Sequence, residues 1–471
     1  MKYRNHYQFT FITLLVLATV FTGYGQKRPN IIFIVADDLG YGNLTSYNSK
    51  SMIPTPHIDL LGKEGTKYTQ FYAGNTVCAP SRCGLMTGKN MGHSYIRGNT
   101  RLPIRANDTT LAQLFQAAGY KTGMFGKWGL GEAGTTGSPE VKGFDEFYGY
   151  LHQGHAHDYY TNYLFQVHNG VMSKVTTDTT QYSDDLIINK AYQFIKDNKD
   201  KPFFMYVPLT LPHAELDPPA RYMKLFQNAD GSSKFPPETP FIKAPAEYPY
   251  RSQAQPHVAF AAMIAKLDED VGNIEQLVKQ LGLDDNTYIF FTSDNGPHNE
   301  GGGDPVYFDS AGPLRGIKRD LYEGGIRVPL LVRAPGKVAA GRVSDQQWAF
   351  WDIMPTFTDL AGINHPKNID GLSFMNSLQN KKQTLQHKYL YWQFNEGYLQ
   401  EAVRQGDWKL IRFKHKGQPE VYELYNLKND IGEKTNLAAQ NPGKVKTLAQ
   451  LMKQSKSPAE NKAFDWSDME K

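Results

Sequence analysis

Short hydrophobic runs of strand length alternate along this chain with longer segments whose apolar residues recur at helical spacing. The first run, Asn30–Ala36, is continuously apolar and rich in β-branched side chains, which predicts a central strand buried on both faces. Similar runs predict further strands at Tyr120–Phe125, Phe203–Val207, Thr287–Thr292 and Val328–Val332. Helical patterns lie between and after them at Asp108–Gly119, Asp184–Asn198, His257–Leu281 and Trp348–Leu360. The alternation indicates an α/β fold with a large, mostly parallel sheet sandwiched by helices.

The pattern changes near residue 365, where strand-like runs begin to follow one another without intervening helices. Four such runs are Lys388–Phe394, Glu401–Arg404, Trp408–Phe413 and Val421–Leu427, and an amphipathic helix follows near Lys444–Gln454. They predict a smaller C-terminal domain of antiparallel sheet plus helix at residues 366–471, after a main domain at residues 26–365. The Pro- and Lys-rich segment Phe235–Tyr250 predicts a long surface loop over the cleft.

The N-terminal residues Met1–Gly25 have the pattern of a secretory signal peptide. Lys2 and Arg4 precede the apolar run Phe9–Phe21, and small residues before Gln26 offer a cleavage site. The run is shorter than the ~20 apolar residues that a membrane span needs. We therefore expect an exported protein, periplasmic or secreted, with no membrane span after the signal is cleaved.

Charge and cysteine content narrow the class of protein further. The 51 Lys and Arg residues nearly balance the 47 Asp and Glu residues, so the net charge of +4 does not suggest a nucleic-acid partner. The chain has two cysteines, Cys78 and Cys83, and a pair so close on one helical turn fits disulfide geometry poorly. We interpret Cys78 as a residue present for its chemistry, while Cys83 is compatible with simple burial.

Charged or metal-ligating residues follow four of the predicted strands. They are Asp37, Asp38, Lys127, His213, Asp294 and Asn295. Ligand sites in such sheets lie outside the carboxyl ends of the strands, so we expect these side chains to meet. The adjacent carboxylates of Asp37 and Asp38 would repel each other unless a cation joined them, which favours a hard divalent metal. The alternative for this pair is a solvated turn with Gly40 and Gly42.

The most specific pattern is Val77-Cys78-Ala79-Pro80-Ser81-Arg82-Cys83-Gly84-Leu85-Met86-Thr87-Gly88. Pro80 suits the first position of a helix, so Cys78 is expected just before a helix N-terminus, where unpaired N–H groups favour an anion. Arg82 follows Cys78 by four residues and lies on the same face. A small reactive residue beside a cation is typical of an oxyanion site, and a buried, inert cysteine is the alternative.

This stretch resembles the signature of the formylglycine-dependent sulfatases, which are relatives of alkaline phosphatase. In that family the first cysteine, here Cys78, is oxidised after translation to the aldehyde formylglycine, and the hydrate of the aldehyde is the nucleophile. The resemblance implies an alkaline phosphatase-like fold, maturation by a formylglycine-generating enzyme, and hydrolysis of sulfate esters. The similarity to exported bacterial-type sulfatases makes a sulfated carbohydrate the expected substrate.

The resemblance also implies a role for each site residue. One Ca²⁺ per chain would be held by Asp37, Asp38, Cys78, Asp294 and Asn295. Arg82 would hold the formylglycine hydroxyls, and Lys127 and Lys318 would bind the sulfate oxygens. His213 would protonate the leaving oxygen. Asp294 is also a candidate for deprotonating the nucleophile.

One position departs from the family pattern. The family has Gly-Lys-Trp-His-Leu-Gly where this chain has Gly129 in place of the histidine. In the family that histidine removes a hydroxyl proton when the covalent sulfate intermediate breaks. His155 and His157 are candidates for replacing it or for contacting the sugar, and His298 is a further candidate. A structural or solvated loop is the alternative, and a zinc site lacks cysteine or matching distal ligands.

Two other functions remain open at this point. A phosphodiesterase or phosphonate hydrolase of the same superfamily can share the formylglycine and the metal ligands. An inactive carbohydrate-binding protein could retain the site without turnover, and the Gly129 departure keeps that interpretation open. The intact pattern from Cys78 to Gly88 favours the active sulfatase.

Overall fold

The structure of the protein is a computed structural model that describes residues 28–243 and 250–469. In this part of the chain one large sheet contains β1 (Asn30–Ala36), β2 (Thr66–Tyr72), β3 (Lys121–Lys127), β4 (Glu146–Tyr150), β5 (Tyr163–His168), β6 (Val171–Thr176), β7 (Phe203–Pro208), β8 (Thr287–Ser293), β9 (Arg327–Arg333), β10 (Arg342–Ser344) and β11 (Trp348–Ala349). The α-helices are α1 (Pro56–Lys63), α2 (Cys78–Thr87), α3 (Leu111–Ala117), α4 (Ser183–Asp197), α5 (Ala220–Met223), α6 (Pro256–Gln280), α7 (Glu323–Ile326), α8 (Ile353–Ala361), α9 (Met375–Leu378) and α10 (Pro442–Gln454).

Strand β1 lies near the middle of the large sheet, whose order is β10-β2-β9-β8-β1-β7-β3-β4-β5-β6, with β11 beside β2. The central strands β8, β1, β7, β3 and β4 run parallel, and β9 is antiparallel to β8. Alternate side chains of β1 enter two separate cores. Ile32 and Ile34 pack in the core that includes α4 and α6, whereas Ile31 and Phe33 pack in the core that includes α2, α3 and α8. The predicted α/β fold, with helices on both faces of a mostly parallel sheet, is confirmed.

A second sheet is a four-stranded antiparallel meander of β12 (Leu390–Asn395), β13 (Leu399–Gln405), β14 (Trp408–Lys414) and β15 (Val421–Asn426). One face of this sheet packs against α10 through Leu448 and Met452. The other face packs against the main body of the protein, where Trp392 joins a core with Trp351. The predicted smaller antiparallel sheet with a packing helix is therefore confirmed.

The predicted helix Trp348–Leu360 is wrong at its start. Trp348 and Ala349 pair with β2 as the short strand β11, a single 3-10 turn follows, and α8 begins only at Ile353. The Asp352 carboxylate accepts a hydrogen bond from the Ala349 N–H at 2.8 Å, which ends the strand and starts the turn. One apolar run thus serves two elements, which its periodicity alone does not separate.

Two predictions concern the ends and loops of the chain. The predicted signal peptide Met1–Gly25 lies outside the described residues, as does part of the predicted loop Phe235–Tyr250. None of the helices in ranges 28–243 and 250–469 has the length and apolar content that a membrane crossing requires.

A buried ion cluster joins the small sheet to the main body. The Lys409 ammonium on β14 lies 2.9 Å from a carboxylate oxygen of Glu323 on α7 and 2.9 Å from one of Glu433. All three side chains are fully buried. Lys409 is the ion-pair partner of Glu433 in this cluster, whereas Glu323 also pairs with Arg327, whose Nη1 lies 3.2 Å away.

We expect Lys409→Met to lower the free energy of unfolding by about 3–5 kcal/mol, because it leaves the buried Glu433 carboxylate without its cation and leaves Glu323 with Arg327 as its nearest cation. Urea denaturation at neutral pH measures the change. Lys428→Met, at an exposed position in the same part of the chain, is the matched control and should cost far less. Equal losses in both variants would contradict this role of the cluster.

Candidate active site

Four polar side chains meet where β1 and β8 end. These strands are parallel neighbours with Ala36 opposite Ser293, so the residues that follow them, Asp37-Asp38 and Asp294-Asn295, come together. All four are fully buried. Asp38 has a φ of 64°, a left-handed conformation that is strained for an aspartate, and its N–H donates to Asp294 Oδ1 at 3.2 Å. The turn holds the carboxylates toward one another against both strain and charge repulsion.

Three buried cations surround these carboxylates. Lys127 Nζ, at the end of β3, lies 2.7 Å from Asp37. Arg82 Nη2, on α2, lies 2.8 Å from Asp294 and 3.3 Å from Asp37. Lys318 Nζ approaches from the loop before α7 and lies 2.8 Å from Asp38. Positive charge that is fixed and screened from water in this way is suited to holding an anionic substrate.

Cys78 is the first residue of α2, and Val77 before it has an extended backbone. The sequence-based expectation that Pro80 begins the helix is wrong by two residues. Pro80 occupies the third position, where a missing N–H costs nothing because the N–H groups of the first turn have no partner inside the helix. The exposed Asn99 side chain accepts hydrogen bonds from the Ala79 N–H at 3.2 Å and from the Cys78 thiol at 3.7 Å.

Burial governs the chemistry of the Cys78 side chain, which is 2 % exposed. Burial raises the pKa of the thiol above its ordinary value, and the carboxylates of Asp37 and Asp294 add to the effect. A thiol of this kind carries little thiolate at neutral pH and is a poor nucleophile. Cys78 and Cys83 are both free, and Cys83 accepts a hydrogen bond from the Ser94 hydroxyl at 3.2 Å.

His213 lies in the loop after β7 with both ring nitrogens engaged. Nδ1 bonds to the Ala214 carbonyl oxygen, so we assign the proton to Nδ1. Nε2 then faces the Lys318 ammonium at 3.1 Å and Asp38 Oδ2 at 3.3 Å. Burial, followed by the Lys318 charge, holds the pKa of His213 well below its ordinary range. The ring is therefore neutral and accepts a hydrogen bond from Lys318.

The donor set of this cluster fits a divalent cation. Among the described residues, Asp37 Oδ1 and Asn295 Oδ1 are buried oxygens without a hydrogen-bond partner, which is costly unless something else compensates them. Burial, then the Asp37 charge, raises the pKa of Asp294 to about 7, and a bound cation would stabilise its ionised form. Ligand atoms of Asp37, Asp38 and His213 lie within 4.8 Å of one another. Carboxylate and amide oxygens are ligands that hard cations prefer.

Two models of known protein families match this chain. Residues 29–363 match the family model described as Sulfatase, and residues 316–460 match the model described as N-sulphoglucosamine sulphohydrolase, C-terminal. The chain belongs to the sulfatase family. It is accordingly an enzyme of the class that hydrolyses sulfate esters.

Three relatives illustrate the similarity of this sulfatase to known proteins. The N-acetylgalactosamine-6-O-sulfatase of Bacteroides thetaiotaomicron is 29% identical over 92% of this chain and 94% of its own. The crystal structure of Ps i-CgsB covers 92% of this chain and 94% of its own at 28% identity, with a TM-score of 0.75; its complex with k-i-k-neocarrahexaose gives 0.73. BT4656, solved with its substrate D-glucosamine-2-N,6-O-disulfate, covers 91% of this chain and 97% of its own at 25% identity, with a TM-score of 0.73.

Nine side chains that the sequence singled out lie together in the sulfatase site. They are Asp37, Asp38, Cys78, Arg82, Lys127, His213, Asp294, Asn295 and Lys318. The three other histidines differ in their surroundings. His155 Nε2 bonds to Thr161 Oγ1 at 2.8 Å and its ring stacks on Tyr163 at 4.1 Å, so it packs within its own loop.

His157 and His298 instead flank the His213 ring. The His157 and His213 ring centres lie 4.5 Å apart, and those of His213 and His298 lie 5.7 Å apart, with all three rings nearly parallel. His298 accepts from the Glu300 N–H through Nδ1 and contacts the Pro212 carbonyl oxygen through Nε2. Because both of its nitrogens are occupied, His298 supports His213 by packing and offers no lone pair to a substrate.

The structure explains why no histidine stands at position 129. Gly129 has a φ of 82°, and a Cβ added there would lie 2.7 Å from the Gln153 amide nitrogen. Gln153 Nε2 also donates to the Gly129 carbonyl oxygen at 3.2 Å. The side chain of Gln153 therefore occupies the space that a larger residue at 129 would need.

Sequence reasoning missed two groups at the site. Glu300 lies 3.2 Å from Lys318 Nζ and 2.6 Å from Arg319 Nη1, and it accepts a hydrogen bond from the Tyr250 hydroxyl at 3.2 Å. The glycine run directly after Glu300 is a sequence signal for a close-packed loop there. Asn99, which contacts the start of α2, has no such signal because its position depends on an irregular loop.

Proposed function

We propose that this sulfatase releases sulfate from a sulfated carbohydrate, using a formylglycine made from Cys78 as its nucleophile and a bound Ca²⁺. The observation that carries the proposal is the position of Cys78, at the start of α2 and within the cluster of three cations and three carboxylates. Relatives whose names or bound ligands are sulfated sugars support the substrate class. The raised pKa of the thiol supports modification, because the unmodified side chain is a weak nucleophile.

The proposed cation ligands are Asp37, Asp38, Asp294, Asn295 and the modified Cys78. When bound, Ca²⁺ supplies positive charge that stabilises anionic oxygens in the site. Arg82, fixed by its ion pairs with Asp37 and Asp294, is placed to hold the hydroxyls of the modified Cys78. Asp294 is the proposed acceptor of the proton that leaves the attacking hydroxyl.

Other residues of the site are proposed to bind the sulfate group and to assist departure of the alcohol. Lys127 and Lys318 are the proposed donors to the sulfate oxygens. The hydrogen bond of 3.1 Å between Lys318 Nζ and His213 Nε2 holds a proton beside the position of the leaving oxygen. In this proposal the Lys318 ammonium passes that proton to His213 Nε2 as His213 gives it to the departing alkoxide oxygen, and Lys318 regains a proton from water after the alcohol leaves. The bond from Nδ1 to Ala214 fixes the direction of Nε2.

For the step in which the covalent sulfate intermediate breaks, we propose His157 in place of the absent histidine at 129. Burial, followed by the charges of His213, Lys127 and Lys318, lowers the pKa of His157 to about 2, so the ring is neutral in the resting site. An anionic sulfate intermediate beside the ring would favour its protonated form, and the proposal requires that change. His155 is set aside for this step because it packs against Tyr163.

We expect His157→Ala to lower kcat by about 10²-fold and KM in parallel, leaving kcat/KM nearly unchanged, since it slows only the breakdown of the covalent intermediate. Protein mass spectrometry should then find sulfated enzyme during turnover. His155→Ala is the matched control and should keep kcat. Unchanged turnover in His157→Ala would contradict the assignment.

Three further proposals concern export, maturation and the domain boundary. The chain is exported through Met1–Gly25, is matured by a formylglycine-generating enzyme, and divides into domains at residues 26–365 and 366–471. The small sheet β12–β15 with α10 forms the core of the second of these domains.

The test of the function is free sulfate released from sugars that carry sulfate at defined positions. The protein is produced together with a formylglycine-generating enzyme and assayed with Ca²⁺. Release that depends on Cys78 supports the proposal. Faster hydrolysis of matched phosphate esters would assign a phosphodiesterase or phosphonate hydrolase, and sugar binding by the converted protein without turnover would assign a binding protein.

A further inference from the structure

We propose that a polar cavity beside the catalytic cluster binds a neutral, hydroxyl-rich sugar unit linked to the sulfated unit. The proposal rests on the proposed function, because it assigns a second part of the same substrate. The cavity has a volume of about 620 Å³, and nearly all of its lining is polar. Its walls include Asp158, Tyr160, Asn162, Thr180, Asp217 and Arg251.

Three residues of the cavity wall are close neighbours, along the chain, of rings at the active site. Asp158 directly follows His157, Arg251 directly follows Tyr250, and Asp217 lies four residues after His213. The rings that precede these residues contact each other, with centroid distances of 4.5 Å from His157 to His213 and 5.3 Å from His157 to Tyr250. From this proximity we place in the cavity a sugar that is linked to a unit held at Lys318.

Arg251 organises the hydrogen-bonding groups of the cavity. Its guanidinium lies 3.2 Å from Asp158 Oδ1, 3.1 Å from Asp217 Oδ2 and 3.6 Å from the buried carboxylate of Glu215. The backbone N–H of Arg251 also donates to Glu215 at 2.9 Å. In the described part of the chain, Asp158 Oδ2 and Asp217 Oδ1 have no hydrogen-bond partner, so each carboxylate keeps an acceptor for a sugar hydroxyl.

The charge of the cavity selects the class of sugar. The carboxylates of Asp158 and Asp217 in the wall outnumber the single guanidinium of Arg251. A second sulfate or a uronic acid would bring like charge against these carboxylates and is disfavoured. Neutral hydroxyls can donate to the carboxylates, and Tyr160 adds an aromatic surface. In this proposal the active site binds the sulfated unit and the cavity disfavours an anionic one. The substrate would therefore carry a neutral sugar next to the sulfated sugar.

The experiment compares kcat/KM for matched substrates. The probes are N-acetylgalactosamine 6-sulfate and N-acetylglucosamine 6-sulfate, each alone, extended by galactose, or extended by glucuronic acid. The enzymes are the wild type, Asp217→Asn, Asp217→Lys, and Asp230→Asn as a control on an exposed loop.

In the wild type we expect the galactose extension to raise kcat/KM about tenfold, mainly through KM, and the glucuronic acid extension to lower it. Asp217→Asn should lose most of the gain, and Asp217→Lys should favour the glucuronic acid extension, while neither changes the rate on the single sugars. The control should behave as the wild type.

Several outcomes separate this inference from the proposed function. Sulfate release from the single sugars with no effect of either extension would overturn the cavity assignment and leave the sulfatase function standing. An equal effect of Asp217→Lys on every probe would overturn it as well. If no probe releases sulfate, the cavity assignment is tested by the binding of the same sugars to Cys78→Ala. The assignment fails if the galactose extension does not tighten that binding.

Discussion

Replacing Cys78 with alanine is expected to abolish sulfate release, with kcat falling by about 10⁴-fold or more. The variant removes the atom that formylglycine formation requires and leaves the cations and carboxylates around it unchanged. We therefore expect substrate binding and thermal stability to remain close to those of the converted wild type. Sulfate release, sugar binding by calorimetry and Tm together measure these three properties.

The matched control for Cys78→Ala is Cys83→Ala. Cys83 lies five residues later on the same helix, is equally buried, and hydrogen-bonds to Ser94 away from the catalytic cluster. It should keep full turnover despite a small loss of stability from the cavity. Activity above one tenth of the wild-type value in Cys78→Ala would place the nucleophile elsewhere in the site.

The second large effect is expected at Asp294, which we assign both to the cation and to the nucleophile proton. Asp294→Asn preserves the shape of the side chain but removes its charge, so we expect kcat to fall by about 10³-fold, as loss of several kcal/mol of transition-state stabilisation implies. The gain in Tm that Ca²⁺ confers on the wild type should also shrink.

Chelation and readdition provide the corresponding test of the cation. Removing Ca²⁺ with EDTA should lower both activity and Tm in the wild type, and Ca²⁺ should restore them, whereas Asp294→Asn should respond weakly. Asp285→Asn, at an exposed position before β8, serves as the control and should titrate like the wild type. A Tm in Asp294→Asn that rises with Ca²⁺ as far as the wild-type value would remove Asp294 from the ligand set.

Local sequence signals predicted the central sheet because the strongest of them coincide with its parallel strands. The strands β1, β7 and β8 are fully buried and therefore read as continuous apolar runs, and the polar residues that follow them meet at one edge. The strands β2, β4, β5 and β6 were missed because they are partly exposed or contain glycine. The Asn169-Gly170 turn between β5 and β6, with positive φ at both residues, was the available hairpin signal.

The less regular parts of the site could not be predicted from spacing. Glu300 and Asn99 reach the catalytic cluster from loops, and the path of a loop depends on contacts that no periodic pattern records. The same limit explains why the sequence did not distinguish His155 from His157 as the candidate to replace the histidine that is absent at 129. They are two residues apart on one short turn, yet one packs against Tyr163 and the other against His213.

The Gln153 side chain lies where a side chain at position 129 would be, so the effect of a substitution at 129 depends on residue 153. A histidine introduced at 129 would collide with the Gln153 amide and would also have to adopt a left-handed backbone. A shorter residue at 153 would remove the contact with the amide, whereas the cost of the left-handed backbone at 129 would remain. The two positions should therefore show epistasis, with histidine at 129 costing less when residue 153 is short than when it is glutamine.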